Sequence, residues 1–292
     1  MFSVIIPVYK GSEKINVALD SLVTQKFQNF EVIIVDDFSD DFDKLLNVIE
    51  GYKKNLSITI LRHEENKNGA AARNTGLLYA KEPFVAFLDC DDSWHENKLS
   101  VVNDLILSGV VDDLTLIYSM YNLYIGNQFK CREPNRCIQN HEPVADYIFC
   151  HNNKMQTSTF VCKRELALDV GFDERFTRHQ DAAFVMLAQK KGYKFFFIAA
   201  PLVNYIFPLQ GLLVRIKQKQ ISSAYCAYWL KEMRAYFSPQ AINGYNFYMK
   251  SRVLIEEGRL LDACLLRFFS MMRFTPAMYL SLGKFLLRRF IL

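Results

Sequence analysis

A chain of 292 residues, 51% hydrophobic and 23% charged, is long enough for one α/β domain of usual size plus an appendage, and too apolar to be a disordered polymer. Its net charge of +4 hides an asymmetry: from Gly211 onward 13 Lys and Arg stand against 4 Asp and Glu, while the preceding part carries 22 against 27. No zinc-finger, RRM or helix-turn-helix signature accompanies the basic end, so no nucleic-acid partner is expected, and seven scattered cysteines without a Cys-x-x-Cys pair read as reduced thiols rather than a disulfide framework or zinc site.

The first apolar run, Phe2-Ser3-Val4-Ile5-Ile6, reads as a strand ending in Pro7-Val8-Tyr9, with Gly11-Ser12 as turn and N-cap. Ile15, Leu19, Leu22 and Val23 recur at helical spacing, and Glu31-Val32-Ile33-Ile34-Val35 returns as a second strand. A βαβ unit with a right-handed crossover follows. The second strand runs straight into Asp36-Asp37-Phe38-Ser39-Asp40. Neither the Gly-x-Gly-x-x-Gly dinucleotide fingerprint nor a Walker-type loop is present. Gly69 to Gly76 reads as a helix start built of small residues, in which Arg73 and Asn74 carry the polar groups. A guanidinium at that point matches the oxygens of a diphosphate better than an ammonium would.

The next run, Pro83 to Leu88, shows no alternation and ends in Asp89-Cys90-Asp91-Asp92. Such a run fits a strand buried on both faces, and in open α/β sheets ligands sit outside the carboxyl ends of the strands. Carboxylates two residues apart repel unless a cation lies between them, so the motif points to Mg²⁺ or Mn²⁺ held together with substrate phosphates. The plainer alternative is an acidic turn capping the next helix. Further on, Ile117-Tyr118-Ser119-Met120-Tyr121 alternates like a strand, with Gly126-Asn127 as a turn. Gln156-Thr157-Ser158-Thr159-Phe160-Val161 alternates like a half-buried strand, and Lys194 to Ile198 reads as a strand followed by a turn and strand at Pro201 to Tyr205. From Leu212 the chain reads helical, broken at Ser238-Pro239 and Pro276, and Tyr279 to Phe290 is a candidate interfacial helix.

Five segments, taken in order, resemble the inverting, nucleotide-sugar-dependent glycosyltransferases of family two. They are Val4-Ile5-Ile6-Pro7-Val8-Tyr9, Ile34 to Asp40, Asn68 to Gly76, Phe87 to Asp92, and Gly171-Phe172-Asp173-Glu174 followed by Gln180-Asp181. The resemblance covers the first two-thirds of the chain and implies a GT-A fold. It implies that Asp91 binds the metal directly, that Asp89 contacts the ribose or completes the metal shell, and that Asp37 accepts from the uracil N3–H. Pro7 and Tyr9 would wall the base. The sugar hydroxyl that attacks must lose its proton on the face opposite the leaving nucleotide, which one carboxylate can manage. By the same resemblance Asp181 is that base. Gln180 stands where relatives carry Glu, which leaves the Asp181 pKa lower than a carboxylate neighbour would. His179 and Gln180 are candidates to orient the acceptor, and Gln156 and Thr157 to line its pocket.

The expected architecture is therefore α/β: a GT-A, Rossmann-like, mainly parallel sheet flanked by helices over residues 1–210, with a basic helical extension over 211–292. Residues 1–92 would form the nucleotide half and 93–210 the acceptor half. The expected reaction is transfer of a single hexose or N-acetylhexosamine from a UDP-sugar to a growing bacterial surface glycan, such as lipopolysaccharide, O-antigen or capsule, with Mn²⁺ or Mg²⁺. The Gln-x-x-Arg-Trp signature of processive synthases is absent, which favours a single addition. The acceptor would be a glycan or lipid-linked glycan. With strand one beginning at once and no leader preceding it, a cytoplasmic protein is expected, with peripheral attachment to the inner membrane through the basic helices as an extension. A glycan-binding or assembly protein on the same fold is the non-enzymatic alternative. A sugar nucleotidyltransferase is the enzymatic one, though its Gly-rich, Arg- and Lys-bearing loop is missing.

Overall fold

The computed structural model describes residues 1–207 and 221–290, which form two compact units. The first comprises Met1–Cys137 and Met155–Ile206; the second comprises Ile138–Lys154 and the chain from Phe207 onward. In chain order the first unit carries β1 (Phe2–Val8), α1 (Ile15–Val23), β2 (Phe30–Asp36), α2 (Phe42–Glu50), β3 (Ile58–Arg62), α3 (Gly69–Tyr79), β4 (Phe84–Phe87) and β5 (Ser93–Trp94). It continues with α4 (Lys98–Leu107), β6 (Thr115–Ile125), β7 (Gln128–Glu133), β8 (Val161–Lys163), α5 (Arg164–Val170), α6 (Gln180–Lys190) and β9 (Lys194–Phe207).

These strands form one mixed sheet in the order β3-β2-β1-β4-β8-β6-β9-β5, with β7 paired to β6 as a hairpin. The β1, β2, β3 and β4 pairs are parallel and those of β8 antiparallel. Val4, Ile5, Ile6, Ile33, Ile34, Val85, Ala86 and Phe87 are all buried, because helices cover both faces of the parallel half. Helix α1 lays Ile15, Ala18, Leu19 and Leu22 into that core. Helix α3 approaches β1 so closely that a Cβ on Gly76 would lie 2.4 Å from Ile5 Cγ2. The register sets Pro7 against Val35, Val8 against Asp36 and Ile5 against Phe87. The carboxyl ends of β1, β2 and β4, with the acids that follow them, therefore share one edge.

Three local expectations are corrected. Ser12 does not cap α1; its backbone N–H donates to Asp41 Oδ2 (3.0 Å), and the helix starts after Lys14. Residues 157–159 form a single 3₁₀ turn rather than a strand, because the Gln156 side chain accepts from Ser158 N (2.7 Å) and closes it. Strand β9 runs unbroken through Pro201, whose fixed φ suits extended chain; Val203 and Asn204 beyond it pair with β5.

The second unit contains residues 138–154, α7 (Ser223–Glu232), α8 (Pro239–Tyr245), α9 (Ser251–Glu256), α10 (Leu260–Met271) and α11 (Pro276–Phe290). The prolines that punctuate the sequence open helices here: Ser238 caps α8 by accepting from Ala241 N (3.0 Å), with Pro239 in its first turn. Phe149, Trp229, Phe237 and Tyr245 stack as its core, with centroid separations of 5.0 Å for Phe149–Phe237 and 5.4 Å for Trp229–Tyr245. Gly244 is required there, since a Cβ would fall 2.1 Å from Phe149 O.

Candidate functional site

The acids after β4 divide by burial. Asp92 turns inward, fully buried, and accepts from Ser158 Oγ (2.5 Å), Gln156 Nε2 (2.9 Å) and Ile206 N (3.3 Å). Burial first, then the charges of Asp89 and Asp91, push its carboxyl well above the usual range, while the Ser158 hydroxyl pulls the other way. Ser158 is the hub of the turn. Its Oγ accepts from Asp89 N (3.0 Å) and its carbonyl from Trp94 Nε1 (2.9 Å). Gln156 and Thr157, expected at the acceptor pocket, are buried, and the Gln156 amide is engaged by Asp92 and Ser158. Asp91 instead faces solvent with a 40% exposed side chain, 4.0 Å from Lys14 Nζ.

Asp89, partly exposed, is ion-paired with Arg73. The Arg73 guanidinium is buried at the start of α3; it also donates to Gly69 O (3.2 Å) and Gln180 Oε1 (2.8 Å), and lies 5.4 Å from the Phe172 ring centroid. Its Nε is buried without a partner among the described residues. Gln180 completes the bridge in the other direction: its Nε2 donates to Phe176 O (2.6 Å) and Asn68 Oδ1 (3.2 Å). An amide accepts from Arg73 while donating to two oxygens; a carboxylate could only accept.

Asp181 follows in the first turn of α6, half-buried, with Oδ1 accepting from Ala182 N (2.8 Å). Burial pushes its carboxyl upward; the Ala182 N–H and the Arg73 charge oppose this, and Asp89 adds to it. Arg73 and Asp89 thus act on the Asp181 carboxyl in opposite directions. His179, at the N-cap position, has φ 58° and makes no side-chain cap bond. Asparagines that composition alone would not single out hold this corner together. Asn68 caps α3 with Oδ1 and donates to Glu174 O (2.8 Å) through Nδ2. Asn74 exchanges bonds with the Phe172 backbone at 2.8 and 2.9 Å and reaches Glu174 Oε1 (2.8 Å). The Gly171 to Glu174 segment is therefore stapled to α3.

At the end of β2, Asp37 is buried and accepts from His63 Nδ1 (2.7 Å), Lys67 N (2.8 Å) and Asn68 N (2.8 Å). His63 Nε2 meets Thr75 Oγ1 at 2.9 Å, so the ring ties Asp37 to α3. Asp36, also buried, accepts from Ser39 N (3.1 Å) and lies 3.3 Å from Arg62 Nε. Asp40 is exposed and paired with Lys10 Nζ (2.7 Å). Pro7 is half-buried, and Tyr9 keeps 47% of its surface open beside these acids.

No group of three or more His, Cys, Asp or Glu is assembled for a metal among the described residues. The donors at hand are the two solvent-reaching carboxylates, Asp89 and Asp91. Hard oxygen donors, too few to enclose an ion alone, fit Mg²⁺ or Mn²⁺ completed by phosphate oxygens and water. A cavity of about 240 Å³ is lined by Ser93, Tyr124, Gly126, Asn127, Asn204 and Ile206. Asn204 donates there to Ser93 Oγ (3.2 Å) and accepts from Asn122 Nδ2 (2.9 Å). The cavity walls come from β5, β9 and the β6–β7 hairpin, whose Gly126-Asn127 turn the sequence marked.

A family model described as glycosyl transferase family 2 matches residues 3–157. The chain is 39% identical over 269 residues to the amylovoran biosynthesis glycosyltransferase AmsB of Erwinia amylovora, covering 90% of this chain and 88% of that one. It is 33% identical over 127 residues to the UDP-Glc:alpha-D-GlcNAc-diphosphoundecaprenol beta-1,3-glucosyltransferase WfgD of Escherichia coli, 44% of this chain and 48% of that one. Among solved structures, S. aureus TarS 1-349 in complex with UDP-GlcNAc superposes with a TM-score of 0.60 at 18% identity, over 95% of this chain and 81% of that one. The mannosyltransferase PcManGT from Pyrobaculum calidifontis, in complex with GDP-Man and Mn2+, gives 0.60 at 18% identity, over 98% and 79%. At such identities the structures speak for the fold, which is GT-A as expected.

Proposed function

The chain belongs to glycosyl transferase family 2, a nucleotide-sugar-dependent transferase family, and from that premise we propose that it adds one hexose or N-acetylhexosamine from a UDP-sugar to a bacterial surface glycan, with inversion. Asp181 is the base. The acceptor oxygen attacks the anomeric carbon from the face opposite the diphosphate; its proton passes to Asp181, and the electron pair of the breaking C–O bond leaves with the nucleotide. Burial raises the Asp181 carboxyl above its ordinary value, which makes it a stronger proton acceptor. A divalent cation held by Asp91 and Asp89 would neutralise charge growing on the leaving diphosphate. Arg73 fixes Asp89 through their ion pair. Pro7 and Tyr9 wall the base subsite, and Asp37 fixes the loop into α3 through His63 Nδ1, Lys67 N and Asn68 N. His179 orients the acceptor, while Gln180 holds Arg73 and Gln156 holds Asp92.

The observation that carries this reading is the bridge of Arg73, which ties the donor carboxylate Asp89 to the residue next to the base. The UDP-GlcNAc of the TarS complex and the Mn2+ of PcManGT favour the same donor class and metal for this chain. WfgD's acceptor is named as alpha-D-GlcNAc-diphosphoundecaprenol, which favours a lipid-linked glycan acceptor and a peripheral position on the cytoplasmic face of the inner membrane. Among the described residues no helix is long and apolar enough to cross a membrane.

Thermal unfolding of the purified protein with UDP, GDP, CMP and dTDP sugars, each with Mn²⁺ or EDTA, tests the donor assignment. A donor at about a hundred times its Kd adds roughly 2.7 kcal/mol, a rise of a few degrees, selective for UDP and dependent on Mn²⁺. A folded protein that shifts with no nucleotide overturns the enzyme reading in favour of a glycan-assembly role.

A further inference from the structure

A helix at the surface of a folded unit normally turns its apolar stripe inward and its polar face to water. Helix α10 does the reverse. Leu261, Leu265, Phe268 and Met272, spaced i, i+4, i+7 and i+11, form one row whose members are 72%, 46%, 54% and 67% exposed. Leu260 and Phe269 flank the row and are exposed as well. The inward face carries Ala263 and Ser270, and Arg267 Nε on that side donates to the buried Ser251 Oγ (2.9 Å). Polar groups thus anchor the helix to its unit while its large apolar side chains stand outside. The exposed apolar area is on the order of 500 Å², at the upper end of what a monomer usually leaves open.

Charge chooses the occupant. Residues 250–290 hold eight Lys and Arg against three Asp and Glu. Arg273 is exposed in the turn that follows α10, and Lys284 is exposed on α11. A cavity of about 520 Å³ is lined by Leu265 of the row together with Lys250, Leu254, Arg259, Asp262 and Phe269. Arg259 there is paired with Asp262 (2.6 Å), but no carboxylate among the described residues lies within ion-pair distance of Lys250. A second copy of this chain would bring basic against basic, which opposes association. An anionic bilayer meets both halves of the surface, with acyl chains taking the apolar row and phosphate headgroups taking Arg273, Lys284 and Lys250. We propose that α10 is an interfacial helix that seats the second unit on an anionic lipid surface through Leu261, Leu265, Phe268 and Met272. This deepens the reading of a lipid-linked acceptor, on which it rests, and moves the membrane contact from the final helix expected from sequence to the one before it.

The test is flotation of the full chain with vesicles of phosphatidylcholine alone and of equimolar phosphatidylcholine and phosphatidylglycerol, run beside the donor-induced thermal shift. The wild type should float with the anionic vesicles and weakly with the neutral ones. Leu261→Glu combined with Phe268→Glu should lower binding by about tenfold or more, whereas Phe268→Leu should retain it. Both Glu positions are already in water, so the donor shift should survive and certify the fold. Failure of the wild type to float, equal flotation of the double variant, or a solution oligomer that the double variant dissociates would each overturn the proposal. A protein that shifts with donor but does not float breaks this inference alone; one that floats but ignores every nucleotide breaks the transferase reading alone.

Discussion

The ends of β2 and β4 look alike as sequence, each an apolar strand running into a cluster of aspartates, yet the folded chain uses them differently. At β2 both leading acids are buried, and Asp37 spends its oxygens on His63 and two backbone N–H groups, fixing the loop that leads into α3. At β4 the order reverses: Asp89 and Asp91 reach solvent, and only Asp92 is drawn inside by Ser158, Gln156 and Ile206. Whether a carboxylate is scaffold or reagent is decided by which donors the rest of the fold brings to it.

That contrast can be broken most directly at the acids assigned to chemistry. Asp181→Asn should lower kcat by about 10²- to 10⁴-fold while leaving the melting temperature and the donor-induced shift in place; a variant that turns over normally removes Asp181 from the mechanism. At the scaffold acid the pattern should invert. Asp92→Ala strands three donors in the interior and should cost about 3 kcal/mol, seen as a fall in Tm without any ligand present. Asp91→Ala should melt like the wild type and lose only the Mn²⁺-dependent part of the donor shift, roughly 2–3 kcal/mol at saturating donor. If Asp91→Ala unfolds while Asp92→Ala does not, the division between the two is wrong.

A smaller effect comes from the cation that shares the scaffold turn. Burial pushes Lys98 down from its ordinary 10.5 to about 7, with its ammonium donating to Thr159 O (3.2 Å) and 5.0 Å from the Trp94 ring centroid. Between those two pH values the unfolded chain holds a proton that the folded chain has released. Stability should therefore rise with pH from about 7 upward, by at most about 1.4 kcal/mol per unit, and Lys98→Met should flatten the slope in unfolding measurements at pH 7 and 9. The smallest effect is at Gln180. Gln180→Glu sets a negative charge beside Asp181 and forfeits both amide donations, so the acidic limb of the kcat profile should move up by about half a unit. An unmoved limb would mean that Gln180 acts on geometry alone.

Much of the acid-bearing sheet edge was legible because it is written in contiguous segments. A parallel strand buried on both faces must be an unbroken apolar run, and its carboxyl end must carry the ligands, so the edge that joins Tyr9, Asp37 and Asp89 could be read before any coordinates. Less could be read where contacts come from residues far apart in the chain. Asn68 and Asn74 gave no compositional sign of clamping Glu174 a hundred residues away. Gln156 and Thr157 alternated like a strand because Asp92, which organises their turn, lies 64 residues upstream of Gln156.

Sequence alone determined the family, the α/β class and the location of the acid-bearing edge, since periodicity and strand-end chemistry are local and survive without knowledge of distant partners. Tertiary structure decided which of those acids are buried, that Arg73 joins Asp89 to Gln180 across 107 residues of chain separating it from Gln180, and that α10 wears its apolar side outward. Those outcomes depend on which groups are desolvated together, and desolvation belongs to the packed molecule, not to any window of its sequence.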